Sequence, residues 1–131
     1  MTLAEFMTGG ALVTLGAMVG TPARFFISGV VARRFGEVFP WGTLVVNVSG
    51  CLVIGIVAAV AHRLGLASGS PWWLLVVTGF LGSYTTVSSF ALQTRALAGD
   101  AEYRLAAAYI GLSIVLCPVA VAIGFALAGG F

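Results

Sequence analysis

The side chains of this chain that could do chemistry are hydroxyls and amides set among apolar residues. From Gly79 the sequence reads GFLGSYTTVSSFALQT, and Ser83, Thr85, Thr86, Ser88, Ser89, Gln93 and Thr94 place seven polar side chains within twelve residues. Asn47 lies in an uncharged run over 38–61, and Tyr109 and Ser113 stand four apart in another over 105–131. On a helix Thr86, Ser89 and Gln93 share one face, as do Tyr109 and Ser113. An amide brings two N–H donors and each hydroxyl one. A track of donors without carboxylates suits an anion better than a cation. A small, strongly hydrated anion gives up its water only where donors close at hand replace it. Phenyl rings add electropositive edges, and Phe80 and Phe90 are placed to offer them. Blander roles stand beside these. Asn47 could serve as a helix–helix hydrogen bond, and Ser113 could bond back to the carbonyl one turn earlier.

Enzyme chemistry finds no footing here. The sequence has no Ser/His/Asp set, no carboxylate pair at membrane depth and no metal-ligand spacing. His62, the one histidine, sits beside Arg63 in an expected turn and reads as solvated. Cys51 and Cys117 fall inside apolar runs and read as small buried residues.

The elements that hold these residues must cross a bilayer. Hydrophobic residues make up 60% of the 131 and charged residues only 8%, against about 25% in ordinary soluble domains; mean hydropathy is +1.12. That leaves too little charge for a wetted shell. Uncharged runs cover 6–23, 38–61, 64–94 and 105–131, and a helix needs about 20 apolar residues to cross the hydrocarbon core. The runs predict four spans, at about 7–31, 42–62, 72–93 and 105–128, forming one all-α domain over 1–131 with no extramembrane domain. No cleaved leader is expected, because residues 1–5 carry no positive charge. Trp41, Trp72 and Trp73 are interface anchors. The net charge of +2 is too weak and scattered for nucleic acid. Arginines favour the first and third loops (Arg33, Arg34, Arg95, Arg104) over the second (Arg63), a small bias toward both termini outside.

Polar groups at membrane depth cost several kcal/mol if unpaired. Two glycines followed by Thr-Thr and Ser-Ser predict a third helix broken near mid-membrane. Such breaks persist only where they are buried or line a cavity, and their freed carbonyls can coordinate a cation. Arg24, inside the first span just after Pro22, either snorkels to the interface or faces an anion-attracting vestibule. Gly16 and Gly20 form a GxxxG packing pair.

The sequence resembles the Fluc (CrcB-type) fluoride channel family over nearly its whole length. GAMVGTPARFF (16–26) is similar to the family's GGxxGAxxRY, with Arg24 at its arginine, and GTLVVNVSGCLVIG (42–55) follows GTLxVNxxGxxxxG, Asn47 included. GFLGSYTTVSSF (79–90) resembles GxxGGxTTFSTF, and Tyr109 and Ser113 match a tyrosine and a serine of the fourth span. The resemblance implies passive, fluoride-selective export through an antiparallel dual-topology dimer in the cell membrane. It implies a central structural Na+ held by the backbone carbonyls of Gly82 and Thr85, which is not transported. Fluoride would pass Asn47, Ser88, Ser89, Phe90, Tyr109 and Ser113, with Arg24 near a vestibule. Val87 replaces the family's first phenylalanine of TTFSTF, and Ser89 the following threonine. Losing one ring edge motivates an alternative, a heterodimer with a second family member that supplies the missing aromatic, or a non-conducting subunit. A small multidrug-type exporter is the remaining alternative. It needs a carboxylate within the first span, yet Glu5 sits at the outer edge and 6–23 has none.

Overall fold

The computed structural model describes residues 1–131. Helix α1 (Leu3–Phe35) is fixed at both ends by local chemistry. The Thr2 hydroxyl accepts from the Glu5 N–H at 3.1 Å while the Glu5 carboxylate accepts from the Thr2 N–H at 2.7 Å, a reciprocal cap that satisfies donors the helix cannot. Gly36, at φ +85°, stops the other end. The helix therefore outruns the predicted 7–31 span in both directions, and it runs through Pro22 without ending. Helix α2 (Trp41–Arg63) follows, close to the predicted boundaries.

The third span is built in pieces. Segment α3 covers 71–84: Pro71 occupies the first turn, Leu74–Leu81 is wound as a π-helix, and Gly82–Tyr84 returns to α-helical winding. At Thr85 the backbone becomes extended (φ −78°, ψ 160°). Helix α4 (Ser88–Gly99) then resumes, continuing past the predicted end at 93. Helix α5 (Tyr103–Leu127) returns across, with Pro118 inside it. The predicted break thus falls at 85–87, taking in the Thr-Thr pair and ending where Ser-Ser opens the next helix.

In lipid there is no hydrophobic drive between helices, so close backbone approach through small residues has to supply the contact. Two crossings do this. At the α1–α3 crossing, a β-carbon on Gly79 would lie 2.6 Å from the Val13 carbonyl oxygen, and one on Gly16 2.7 Å from the Phe80 nitrogen. Gly20 meets the Phe80 carbonyl and Ser83 in the same seam. At the α2–α5 crossing, β-carbons on Gly55 and Gly124 would each lie 3.0 Å from a backbone nitrogen of the opposite helix. The GxxxG pair is therefore a packing seam, as its spacing predicts.

Only 19 of 131 residues are buried. Large apolar side chains point outward from the helices, among them Phe25, Phe26, Met18 and Ile114, each more than 60% exposed. A water-soluble monomer does not present apolar surface on that scale. With four helices long and apolar enough to cross a membrane, the chain is a multi-pass membrane protein.

A candidate anion pathway at the break in the third span

Asn47 holds the break together. Its Nδ2 donates to the Thr86 carbonyl at 2.8 Å, and its Oδ1 accepts from the Thr86 N–H at 2.7 Å. One side-chain amide thus satisfies both polar groups of a residue that has left the helical ladder. Thr86 is 8% exposed, so either group left unpaired would cost about 1–3 kcal/mol. The second Nδ2 proton is left over. The helix–helix hydrogen bond and the donor role expected for Asn47 are therefore compatible.

Hydroxyls complete the turn into α4. The Ser89 N–H donates to Thr86 Oγ1 at 3.2 Å, capping the first turn, and Ser88 Oγ lies 3.2 Å from the same oxygen. On the α3 side, Thr85 Oγ1 donates back to the Leu81 carbonyl at 2.9 Å. Tyr84 is anchored by a 2.9 Å hydrogen bond between its hydroxyl and Ser49 on α2. Every hydroxyl from 84 to 86 has a partner, so the break has a defined shape.

A groove of about 520 Å³ opens beside it. Asn47, Gly82, Thr85, Val87, Phe90 and Ser113 all line it, contributed by α2, the two halves of the third span and α5. Thr86 gives its N–H to Asn47 instead of to the Gly82 carbonyl, and the extended backbone at Thr85 turns that residue's carbonyl out of the helical direction. Two backbone oxygens beside the groove are thereby released from the usual helical pairing.

Tyr109 is completely buried and links this groove to a second cavity of about 800 Å³. Its ring packs on Phe90, a groove residue, with centroids 5.1 Å apart, and edge-on against Phe39, a residue of the second cavity, at 5.6 Å. Its hydroxyl donates to Gln93 Oε1 at 2.8 Å. Gln93 lines the second cavity with Thr43 and Phe39. With its oxygen occupied, Gln93 keeps an NH₂ group with two protons to offer.

The expected site residues therefore fall into three groups. Asn47, Gly82, Thr85, Phe90 and Ser113 meet at the groove. Ser88, Ser89 and Tyr109 lie next to it, the two serines gathered on Thr86 and Tyr109 behind Phe90. Arg24 is half-exposed on α1 and lines neither cavity. Thr43 and Ser49 were not singled out from the sequence. Both precede glycines or apolar residues in α2 and carry no signal beyond being hydroxyls in an apolar run.

The geometry is accompanied by close relatives. A family model described as CrcB-like protein, Camphor Resistance (CrcB), matches residues 11–125. A protein of Rhodopseudomonas palustris named fluoride-specific ion channel FluC 2 is 54% identical over 125 residues, covering 95% of each chain. A Bradyrhizobium diazoefficiens protein of the same name is 50% identical, covering 95% of this chain and 91% of its own length. The fluoride-specific ion channel FluC of Opitutus terrae is 44% identical over 119 residues, 90% of each. With the match running from the first span into the fourth, the chain belongs to the CrcB family.

Proposed function

We propose that this chain forms a fluoride-selective channel that passively exports fluoride and lowers its cytoplasmic concentration. The observation that carries the reading is the break at 85–87, clamped by Asn47 and facing a groove whose polar lining is donors and carbonyls without a carboxylate. The names of the relatives support the choice of anion. Fluoride sheds its hydration shell only where donors replace it. The free Nδ2 proton of Asn47, the Ser113 hydroxyl and the Phe90 ring edge offer this in the groove, and the Gln93 amide offers it in the second cavity. Ser88 and Ser89 shape the turn between them. Tyr109 stands where the two spaces meet, its ring on Phe90 and Phe39 and its hydroxyl proton given to Gln93. Arg24, half-exposed on α1 and outside both cavities, would add positive potential at an approach to them.

The working unit of this proposal is an antiparallel dual-topology dimer. With so little of the chain buried, the groove needs a cover, and a second copy brings the same donors. The released carbonyls of Gly82 and Thr85 suit a hard cation, so a structural, untransported Na+ would be held by these oxygens from both subunits. When bound, it would attract the carbonyl dipoles of both subunits and so hold the two breaks against each other. A heterodimer is the second reading, favoured by Val87, which stands 79% exposed on the groove where a ring edge is expected. Relatives numbered 2, 3 and 4 fit a second family member in one membrane.

Fluoride-electrode efflux from liposomes carrying the purified chain, with sodium or with an organic cation in its place, tests the proposal. Efflux is expected in sodium, with Asn47→Ala, Phe90→Ala and Ser113→Ala each reducing it while leaving the dimer intact. Wild-type-like flux in all three variants would discredit the pathway. Equal flux and equal dimer mass without sodium would remove the cation from it.

A further inference from the structure

Two free thiols, Cys51 on α2 and Cys117 on α5, line the same groove, and nothing in the fluoride pathway uses them. They sit on the two helices that Gly55 and Gly124 bring into close backbone approach. Each stands four residues beyond a pathway residue, Cys51 after Asn47 and Cys117 after Ser113, hence one helical turn away on the same face. Both are half-buried, so neither is sealed into the core.

We propose that Cys51 and Cys117 form a two-thiol site for a soft, thiophilic d10 metal ion. Thiolate sulfur selects such ions over hard cations, and mercury(II) is satisfied by two sulfurs in a line. Neutral mercuric chloride partitions into apolar surroundings and reaches the groove without carrying charge through lipid. Each S–H bond is replaced by an S–Hg bond, two protons pass to solvent and two chlorides leave, with no change of oxidation state. The second sulfur makes the second attachment intramolecular, which strengthens retention on the order of 10²–10⁴-fold over one thiol. Bound there, the metal ties α2 to α5 beside the groove.

Intact-mass measurement of the detergent-solubilised protein after mercuric chloride, followed by a wash with a competing monothiol, tests the site without reference to transport. The wild-type chain is expected to keep one mercury, with two hydrogens lost and no chloride retained. Cys51→Ser and Cys117→Ser are each expected to lose it in the wash. Two mercury atoms on the wild-type chain, each still carrying a chloride, would overturn the proposal through separate thiols. So would a single-serine variant that holds its mercury as firmly as the wild type.

Discussion

Asn47 pairs with Thr86 through both ends of its amide, 2.8 Å to the carbonyl and 2.7 Å from the N–H. A side chain on one helix thereby replaces the backbone partners that another helix loses where it breaks. Membrane-embedded backbone tolerates such a departure only when its polar groups are paired within the protein. The clamp and the break therefore stand or fall together.

Asn47→Ala is expected to orphan both Thr86 groups, at about 1–3 kcal/mol for each. Hydrogen exchange at the Thr86 amide should accelerate and fluoride flux should fall. Asn47→Asp keeps an acceptor for the N–H but turns a carboxylate toward the Thr86 carbonyl and the pathway. It should protect the amide better than Asn47→Ala while conducting no better. An exchange rate at Thr86 untouched by either change would mean that the amide does not hold the break.

Tyr109 separates two contributions. Tyr109→Phe removes only the hydroxyl given to Gln93, at about 0.5–1.5 kcal/mol, and keeps the ring packed between Phe39 and Phe90. Tyr109→Ala also empties a fully buried site, at about 3–5 kcal/mol by analogy with other aromatic truncations. Thermal unfolding in detergent should rank them in that order, and Tyr109→Phe should keep most of its flux. Complete loss of flux in a stably folded Tyr109→Phe would assign the hydroxyl to the anion instead of to Gln93.

Val87 is exposed on the groove, so nothing within its own subunit blocks a larger side chain there. Val87→Phe is expected to change stability by less than about 0.5 kcal/mol and to raise fluoride flux by restoring a ring edge. Unchanged or lower flux would show that the missing aromatic does not limit this chain.

Much of this was legible in the sequence, for a physical reason. Polar residues are so costly in lipid that Asn47 and the run from Thr85 to Gln93 announce a protein-lined interior by their presence alone. The same cost made a break near mid-membrane readable from the two glycines, Thr-Thr and Ser-Ser, though not its exact residues. Partnerships were not legible. Asn47 and Thr86 are 39 residues apart and meet only when two spans pack, and Tyr109 finds Gln93 on a separate helix. The π-helical winding of Leu74–Leu81 has no signature in a run of apolar residues. The true length of α1 was written in Thr2, Glu5 and Gly36, but a span drawn from hydropathy alone stops short of its caps.

Selective conduction is tested most directly by loading liposomes that carry the wild-type chain with both fluoride and chloride, and following the two anions by separate electrodes. Fluoride should leave far faster than from protein-free liposomes, with chloride retained. Fluoride held at the protein-free rate, or chloride leaving alongside it, would contradict the channel derived from the groove at Asn47 and Phe90.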